Sequence, residues 1–311
     1  MKILVLDTVH PILFERISSH GFTMIDATQL NREACIALLG DISGIVVRSR
    51  FPMDASFLSK APHLKFIARS GAGMENIDVA YCSERSIQLF NAPEGNRNAV
   101  GEHALGMLLA LMNHFIQGDA EVRKGIWDRE GNRGEEIEGK TIGIIGYGNN
   151  GREFAKKLRG FDCSLLVYDK YLSEINDSFV EQVSLTELYK RCDVISFHIP
   201  QNAETIYWAN ESFFNQLSKP IYLLNLSRGK IVETKALLRA IDTGIVKGAA
   251  LDVLEYEKSS FEKIDDHPDF NALLVSTKVI FTPHVAGWTV ESYEKLSEVL
   301  AKKIVDWKIS D

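Results

Sequence analysis

The sequence predicts an α/β protein made of two Rossmann-like, doubly wound parallel-sheet domains. Short apolar runs alternate with amphipathic segments along nearly the whole chain, which is typical of parallel strands joined by helices. One of these strands, at residues 141–145, leads directly into a glycine turn and a helix. The length of 311 residues corresponds to about two domains of ordinary size.

The glycine turn is the most informative segment of the chain. The strand at 141–145 is followed by Gly146-Tyr147-Gly148-Asn149-Asn150-Gly151, and apolar residues then recur at helical spacing. A second apolar run at 165–168 ends at Asp169, 18 residues after the last glycine. A glycine pattern that leaves a strand, opens a helix and is followed by an acid at this distance indicates dinucleotide binding. The alternative is an ordinary crossover that only needs a tight turn.

Each part of this pattern has a physical role. Gly146 allows the turn, Gly148 lets the backbone approach a pyrophosphate, and Gly151 lets the helix lie close to the strand. The helix start offers unpaired N–H groups to the phosphates. Asp169 would accept hydrogen bonds from a ribose 2′-hydroxyl and repel a 2′-phosphate, which favours NAD over NADP, although Lys170 beside it weakens this preference.

Composition excludes several other classes of protein. Apolar residues make up 45% of the chain, but no run approaches the roughly 20 residues that span a bilayer. The net charge of −7 argues against a nucleic-acid surface. The N-terminus fits a first strand better than a signal peptide. The four cysteines are scattered, so we expect free thiols, no metal site and a cytoplasmic location; they are Cys35, Cys82, Cys163 and Cys192.

The remaining elements follow from periodicity. Strands are predicted at 3–6, 44–47, 64–68, 88–90, 193–199, 221–226, 248–253 and 279–282. Helices are predicted at 11–20, 32–39, 54–60, 79–86, about 99–120, 185–189, 210–216, 234–242 and 289–308. The polar stretch at 91–98 predicts a hinge, and 123–140 predicts an irregular surface connection with Trp127 as its apolar anchor.

Two segments of the first hundred residues could hold an anion. The turn at 69–73, which contains Ser70, Ala72 and Gly73, follows a strand and exposes backbone N–H groups, which suits a carboxylate or phosphate. Arg48-Ser49-Arg50 places two guanidinium groups and a hydroxyl at the end of another strand, where ligands of α/β sheets bind. The alternatives are a plain strand-to-helix turn and solvated surface arginines.

Three ionisable residues stand just past the ends of three apolar strands in the second half. They are Arg228, Glu257 and His284. Because the carboxyl ends of parallel strands share one edge, we expect these side chains around one crevice beside the nucleotide. Taken singly, they could be a surface residue, a loop acid and a turn residue after Pro283.

These three residue types suit hydride transfer to and from a 2-hydroxy acid. A guanidinium offers the planar, two-pronged donor that a substrate carboxylate needs. Removing hydride from C2 requires a base that takes the hydroxyl proton, and His284 fits that role. Glu257 would orient the imidazole and fix its tautomer.

The motifs together resemble the family of D-isomer-specific 2-hydroxyacid dehydrogenases, over nearly the whole chain. The matching stretches are Arg69-Ser70-Gly71-Ala72-Gly73-Met74-Glu75-Asn76-Ile77-Asp78, Ala99-Val100-Gly101-Glu102-His103, residues 139–151, Asn225-Leu226-Ser227-Arg228-Gly229, Ala250-Leu251-Asp252-Val253 and Thr282-Pro283-His284-Val285-Ala286-Gly287. Asn150 in the glycine turn, Lys258 after the acid and the long acidic connection at 258–278 depart from the family pattern.

The resemblance implies a set of roles for residues of this chain. It implies Arg228, Glu257 and His284 as catalytic residues, with NAD as the cofactor. It implies cofactor binding by Gly146, Gly148, Asn149, Asn150, Gly151, Asp169, His198, Pro200, Thr205, Leu226, Ser227, Asp252 and Val100. It implies substrate binding by Arg48, Ser49, Arg50, Ser70, Ala72 and Gly73.

The resemblance also implies the domain organisation and the substrate. Residues 1–97 and 286–311 would form the substrate domain, and 98–285 the inserted NAD-binding domain. The helix from Ala99 would form a homodimer. Arg48 and Arg50 suggest a phosphorylated substrate, with oxidation of 3-phosphoglycerate to 3-phosphohydroxypyruvate, the first step of serine biosynthesis, as the expected reaction. The alternatives are reduction of hydroxypyruvate, glyoxylate or another 2-keto acid, and a non-catalytic NADH-sensing interaction protein.

Overall fold

The computed structural model describes residues 1–257 and 266–310 of the chain. The chain divides into two compact units. The first comprises Met1–Arg97 and residues 288–310, and the second comprises Asn98–Glu257 and residues 266–287. The substrate role of the first unit stays a prediction.

The elements are numbered in chain order. The strands are β1 (Lys2–Val5), β2 (Thr23–Asp26), β3 (Gly44–Val47), β4 (Phe66–Arg69), β5 (Gln88–Phe90), β6 (Thr141–Ile145), β7 (Ser164–Tyr168), β8 (Glu181–Gln182), β9 (Val194–Phe197), β10 (Ile221–Asn225), β11 (Val246–Leu251) and β12 (Val279–Phe281). The helices are α1 (Ile12–Ser18), α2 (Arg32–Leu38), α3 (Ala55–Leu58), α4 (Val79–Glu84), α5 (Pro93–Met112), α6 (Phe115–Arg123), α7 (Asn149–Lys157), α8 (Leu185–Arg191), α9 (Glu211–Asn215), α10 (Thr234–Asp242), α11 (Pro268–Leu274) and α12 (Val290–Ser310).

The first unit is a five-stranded parallel sheet in the order β2-β1-β3-β4-β5. Successive residues of its central strands point to opposite faces, so each strand feeds two apolar layers. Leu4 and Ile45 pack with residues of α2, α3 and α4 on one face. Ile3 and Phe66 pack with α1 and with the buried face of α12 on the other face. The sheet is therefore covered by helices on both sides, as the doubly wound prediction requires.

The second unit is a seven-stranded parallel sheet in the order β12-β11-β10-β9-β6-β7-β8. Chain order reverses between β6 and β9, and this switch point is where an open α/β sheet binds its ligand. Helices α8, α9 and α10 cover one face, where Ile195 and Leu223 are fully buried. Helices α5 and α7 cover the other face, around Ile144 and Leu224. The predicted fold class of two doubly wound parallel sheets is confirmed.

The boundary between the two units falls between Arg97 and Asn98, within the predicted hinge at 91–98, but the stretch is helical because α5 already begins at Pro93. Proline is tolerated in the first turn of a helix, where its missing N–H is not needed. Gly95 explains the close packing of this first turn: a Cβ on Gly95 would lie 2.7 Å from the backbone nitrogen of Leu296 on α12. The polar residues at 94–98 therefore belong to a helix, and not to a flexible connection.

The single helix predicted for 99–120 is interrupted. His114 adopts a left-handed conformation with φ of 54°, which ends α5 and turns the chain by 59° into α6. In the described part of the chain no single helix could cross a membrane, and only this bent pair reaches the necessary length and apolarity. Trp127 is 79% exposed, so its predicted role as an apolar anchor is wrong.

Three elements were not predicted: β2, β8 and α11. The first two are short strands at sheet edges, and β8 has only two residues. Helix α11 lies within the connection at 258–278, with Pro268 in its first turn and His267 as its N-cap. Lys258 lies outside the described residues.

Candidate active site

The three glycines of the turn have three different surroundings. A Cβ on Gly146, where φ is +93°, would lie 2.6 Å from the carbonyl oxygen of His198. A Cβ on Gly151 would lie 2.0 Å from the carbonyl oxygen of Gly146, which fixes how closely α7 approaches β6. No atom of the described residues comes within 4 Å of a Cβ placed on Gly148. Gly148, the N-cap of α7, is thus the open position at which a phosphate can approach the backbone.

Asp169 ties the end of β7 to the glycine turn. Its Oδ2 accepts a hydrogen bond of 2.7 Å from the Tyr147 N–H. Its Oδ1 accepts from the N–H groups of Tyr171 at 2.9 Å and Leu172 at 3.2 Å. The carboxylate is therefore held rigidly beside the open face of the turn.

A pocket opens at this switch point. Its wall includes Gly146, Gly148, Asp169, His198, Pro200 and Thr205, so it brings together six of the predicted cofactor residues. The loop after β9 keeps its shape through Thr205, whose hydroxyl donates to the Pro200 carbonyl at 2.7 Å. These residues come from β6, β7 and β9 through the shared edge of the sheet.

His198 gives this pocket a neutral imidazole. Burial lowers the pKa of His198 to about 3, so the ring carries no charge near neutral pH. Its Nε2 lies 2.8 Å from the Ser196 hydroxyl, and the ring packs on Phe154 with centroids 5.4 Å apart.

The residues present fit a bound dinucleotide. The Nδ1 of His198 and the Oδ1 of Asn150 are buried and have no hydrogen-bond partner among the described residues. Orphaned buried polar atoms are rare in native proteins and call for a partner. Together with the open face of Gly148 they indicate a group that completes the turn.

Arg228 stands on a turn that a buried asparagine shapes. Asn225, fully buried at the end of β10, donates from Nδ2 to the Arg228 carbonyl at 2.9 Å and accepts from the Ser227 N–H at 3.2 Å. The next residue, Gly229, lies so close to β11's exit that a Cβ there would meet the Leu254 carbonyl oxygen at 1.9 Å. The turn therefore holds Arg228 against the loop that leads to Glu257.

Glu257 and His284 form a direct pair. The Oε2 of Glu257 lies 2.7 Å from Nδ1 of His284, and the side chains are 16% and 23% exposed. The second oxygen of Glu257 accepts from the Leu254 N–H. The carboxylate thus fixes Nδ1 as the nitrogen on its side, and Nε2 is the nitrogen on the opposite side of the ring.

Strand order brings the predicted catalytic residues to one edge. Arg228 follows β10, Glu257 follows β11 and His284 follows β12, and these three strands are neighbours. Adjacent strands lie about 4.8 Å apart, so the outer two are separated by roughly 10 Å. Guanidinium, carboxylate and imidazole therefore share the carboxyl edge of one sheet.

Asp252 organises the loop that carries His284. The side chain of Asp252 is 1% exposed. Its Oδ1 accepts from the Thr282 hydroxyl at 2.5 Å and the Val285 N–H at 2.9 Å, and its Oδ2 accepts from the Ala286 N–H at 2.9 Å. Thr282 in turn lies 3.0 Å from Nε2 of His103 on α5. The predicted contact of Asp252 with the nicotinamide carboxamide stays a prediction.

The other predicted cofactor residues lie in the same unit, and three of them are buried. Val100, Leu226 and Ser227 are 4%, 5% and 7% exposed. The Ser227 hydroxyl donates to the Phe197 carbonyl at 2.6 Å, which links the exits of β10 and β9. Asn149 and Asn150 form the first turn of α7. Direct contact of these residues with a cofactor stays a prediction.

In the first unit, the predicted anion-binding segment holds an internal anion. The N–H groups of Arg48, Ser49 and Arg50 all point at Oδ2 of Asp7, at 2.6, 3.1 and 3.3 Å. The Arg50 guanidinium donates to three backbone carbonyls, those of Leu6, Ala27 and Leu30. The geometry gives Arg50 a structural task that the sequence did not suggest.

Arg48 and the turn at residues 70–73 remain candidates for substrate binding in this unit. The Arg48 guanidinium carbon lies 4.1 Å from the ring centroid of Trp288, a cation–π contact. Ser70 is buried and donates its N–H to the Val47 carbonyl at 2.8 Å. Among the described residues, no acceptor takes the N–H groups of Ala72 and Gly73, which suits the predicted carboxylate contact.

Sequence reasoning missed Asp7, Asn225, Thr282 and His103 as parts of these sites. Asn225 offered a signal, because it is the one polar residue in the apolar run at 221–226 apart from Tyr222. Asp7 offered a weaker one, as an acid directly after the apolar first strand. Nothing in the sequence pairs Thr282 with His103, which only the fold brings together. Among the described residues, no three His, Cys, Asp or Glu side chains converge as a metal site would require.

The second unit belongs to the class of dinucleotide-binding α/β domains on which many dehydrogenases are built. Residues 105–286 match the family model "D-isomer specific 2-hydroxyacid dehydrogenase, NAD binding domain". The chain belongs to the D-isomer specific 2-hydroxyacid dehydrogenase family, and this part of it is an NAD-binding domain.

Relatives of known activity agree with this membership. D-3-phosphoglycerate dehydrogenase of Rattus norvegicus is 34% identical over 307 residues, which is 98% of this chain and 56% of that protein. Glyoxylate reductase of Pyrococcus furiosus is 32% identical and is matched over 90% of this chain and 83% of its own length. The structure of a D-lactate dehydrogenase from Aquifex aeolicus, complexed with NAD and lactic acid, superimposes with a TM-score of 0.84 at 27% identity, covering 100% of this chain and 96% of that one. The chain spans little more than half the length of its phosphoglycerate dehydrogenase relative.

Proposed function

We propose that the protein is an NAD-dependent dehydrogenase of D-2-hydroxy acids, with 3-phosphoglycerate and 3-phosphohydroxypyruvate as its substrate pair. The observation that carries the proposal is the Glu257–His284 pair, at 2.7 Å, on the sheet edge that also holds Arg228 and the glycine turn. The phosphorylated substrate is supported by the 34% identity to a D-3-phosphoglycerate dehydrogenase and by Arg48, a half-buried cation just past the end of β3.

The residues divide the reaction between them. NAD, when bound, supplies the nicotinamide that takes or gives a hydride. Arg228 binds the substrate carboxylate through two parallel N–H groups. His284 holds the hydroxyl proton on Nε2 during oxidation and returns it during reduction, while Glu257 keeps Nδ1 oriented and balances the positive charge that the ring acquires.

The decisive experiment is a substrate panel with NADH. Purified protein is assayed on 3-phosphohydroxypyruvate, hydroxypyruvate, glyoxylate and pyruvate, and in the other direction on 3-phosphoglycerate with NAD. We expect turnover on the phosphorylated acid with the highest kcat/KM. A protein that binds NADH but turns over none of these acids would refute the proposal.

A second candidate is a reductase of unphosphorylated 2-keto acids such as hydroxypyruvate or glyoxylate. It is favoured by the first unit, where Arg50 is engaged by three carbonyls and the N–H groups at 48–50 already hold Asp7. The 32% identity to a glyoxylate reductase also supports it. The ratio of kcat/KM on hydroxypyruvate with and without its phosphate separates the two candidates.

A non-catalytic NADH-sensing interaction protein is the third candidate. The intact Glu257–His284 pair argues against it, because a sensor has no need for a positioned base. His284→Asn separates the two: an enzyme loses turnover and keeps NADH binding, whereas a sensor loses neither its binding nor its cellular phenotype.

We also propose a cytoplasmic homodimer. Helix α6 has no buried residue, and Phe115, Ile116 and Val122 on it are 58%, 61% and 53% exposed. These exposed apolar side chains on the helix that follows α5 suit a second copy of the chain. Light scattering should give twice the chain mass, and Ile116→Glu should lower it to the mass of one chain.

A further inference from the structure

The lysine beside Asp169 is held by an acid from another loop. Lys170 follows β7, and Glu204 lies on the loop after β9. The Nζ of Lys170 is 2.6 Å from Oε2 of Glu204, and the two side chains are 48% and 56% exposed. Both residues line the pocket that contains Gly148 and Asp169.

This lysine bears on which cofactor the pocket accepts. NADP differs from NAD by a 2′-phosphate on the adenosine ribose, and a basic side chain beside the ribose site accommodates that phosphate. Asp169 cannot move away to make room, because its two oxygens are fixed by the N–H groups of Tyr147, Tyr171 and Leu172. An unpaired Lys170 ammonium would attract a 2′-phosphate, whereas a paired one attracts it less. The pairing of Lys170 therefore influences how weakly the pocket binds NADP.

We propose that Glu204 is a second determinant of NAD over NADP, acting by holding the Lys170 ammonium away from an incoming 2′-phosphate. This inference rests on the proposed use of NAD by the enzyme. Glu204 and Lys170 line the same pocket wall as Asp169, so an incoming 2′-phosphate meets a lysine that is already paired.

The pKa values of Lys170 and Glu204 shift in the directions expected of an ion pair. The hydrogen bond to Glu204 raises the pKa of Lys170, and the same hydrogen bond lowers the pKa of Glu204. The Tyr171 hydroxyl lies 3.5 Å from the same Oε2, on the pocket side of the loop after β7. Because the pair is half exposed, salt and competition weaken it, and the expected effect is moderate.

The test measures cofactor binding alone. Dissociation constants for NADH and NADPH are obtained from quenching of protein fluorescence in wild type, Glu204→Gln, Lys170→Met and the double variant. We expect Glu204→Gln to lower the ratio of the NADPH to the NADH constant by about 1.5-fold to fivefold, the range for an exposed ion pair. In the double variant this gain should disappear, since it requires the freed lysine.

A matched control is available on β8. Glu181 pairs with Arg191 at 2.7 Å and is 55% exposed, almost the same as Glu204. Glu181→Gln removes an equivalent ion pair, and the ratio of the two constants should stay at the wild-type value. A change of the same size in this control would show a general charge effect and overturn the proposal.

Two other outcomes also overturn it. An unchanged ratio in Glu204→Gln removes Glu204 as a determinant, and a gain that persists in the double variant removes the capture of Lys170 as its cause. Neither outcome affects the proposed function, which fails separately if wild-type protein binds neither nucleotide.

Discussion

The Oε2 of Glu257 lies 2.7 Å from Nδ1 of His284, although 27 residues separate them in the chain. His284 has a φ of 56°, a left-handed conformation that is rare for a residue with a side chain. Such a conformation persists only where its surroundings impose it, and it concentrates at functional sites. Here the His284 N–H donates to the Asp252 carbonyl at 2.8 Å, and the Asp252 carboxylate binds the two N–H groups that follow.

Replacing the imidazole should remove the base. We expect His284→Asn to lower kcat by roughly a hundredfold to ten-thousandfold, the usual contribution of general acid–base catalysis. NADH binding should be preserved, since His284 lies outside the pocket at Gly148. Steady-state kinetics on the active keto acid and fluorescence titration with NADH check both. The exposed His63→Asn serves as the control; equal activity of the His284 variant and the control would refute the role.

The guanidinium geometry at position 228 should matter more than its charge. Lysine keeps the charge but offers no planar pair of donors. A hydrogen bond to a charged group contributes about 1.5–3 kcal/mol, so Arg228→Lys should lower kcat/KM by about tenfold to a hundredfold. The KM for the acid should rise while the KM for NADH stays constant. A variant with wild-type KM for the acid would remove Arg228 from the carboxylate site.

Thr282 should act on catalysis through the loop that carries His284. Its hydroxyl bridges His103 and Asp252, and Thr282→Val leaves a buried carboxylate oxygen short of a donor. We expect kcat to fall about tenfold or more, in line with an unsatisfied buried group costing about 1–3 kcal/mol. Thr282→Ser, which restores the hydroxyl, should recover most of the rate. Lack of recovery by serine would point to packing instead of the hydrogen bond.

Substitutions of Arg48 and Arg50 should have different effects. Arg50→Ala removes a cation bound to three carbonyls and should lower the free energy of unfolding by about 1.5–3 kcal/mol. Arg48→Ala should leave stability nearly unchanged and raise the KM for a phosphorylated acid, with little effect on hydroxypyruvate. Urea unfolding and the substrate panel measure the two. Equal destabilisation by both variants would contradict the separation.

Stability should fall with acid through His198. Burial lowers the pKa of His198 to about 3, below the unfolded value of about 6.5. Between these values the unfolded chain binds a proton that the folded chain does not, so stability is complete above pH 6.5 and lost as the pH falls. The slope is at most about 1.4 kcal/mol per pH unit.

The contribution of Glu135 to stability changes in a different pH range from that of His198. Its ion pairs with Lys247 and Lys140 outweigh its burial and lower its pKa to about 2, so its contribution is lost only below about pH 4.5. Unfolding in urea at several pH values between about 6.5 and 5 therefore reports mainly on His198. His198→Gln should flatten the slope, and an unchanged slope would assign the acid sensitivity elsewhere.

The sequence was sufficient to predict the fold class and the position of several candidate residues at one sheet edge of the second unit, while the roles of these residues stay predictions. Gly146, Asp169, Glu257 and His284 could be placed because parallel strands end at one edge, which is a property of strand order and not of side-chain detail. The family membership inferred from the motifs is confirmed by the match over residues 105–286.

The predictions that differ from the structure have a common physical origin. Gly95 favours a break by local propensity, yet it packs closely against Leu296 inside α5, which begins at Pro93. The two-residue β8 carries too little periodicity to detect, and it forms only because β7 offers an edge. Arg50 looked like a free cation because nothing local shows that three carbonyls from two loops surround it. In each case contacts distant in sequence decide the outcome.

Asp7 places a constraint on how any substrate could be recognised in the first unit. The main-chain amides at 48–50 already neutralise a fixed negative charge, so a second anion arriving there would face repulsion before it found a donor. Discrimination between phosphorylated and plain acids must then come from side chains, which evolve one substitution at a time. A scaffold of this kind can change its preferred acid without rebuilding its backbone.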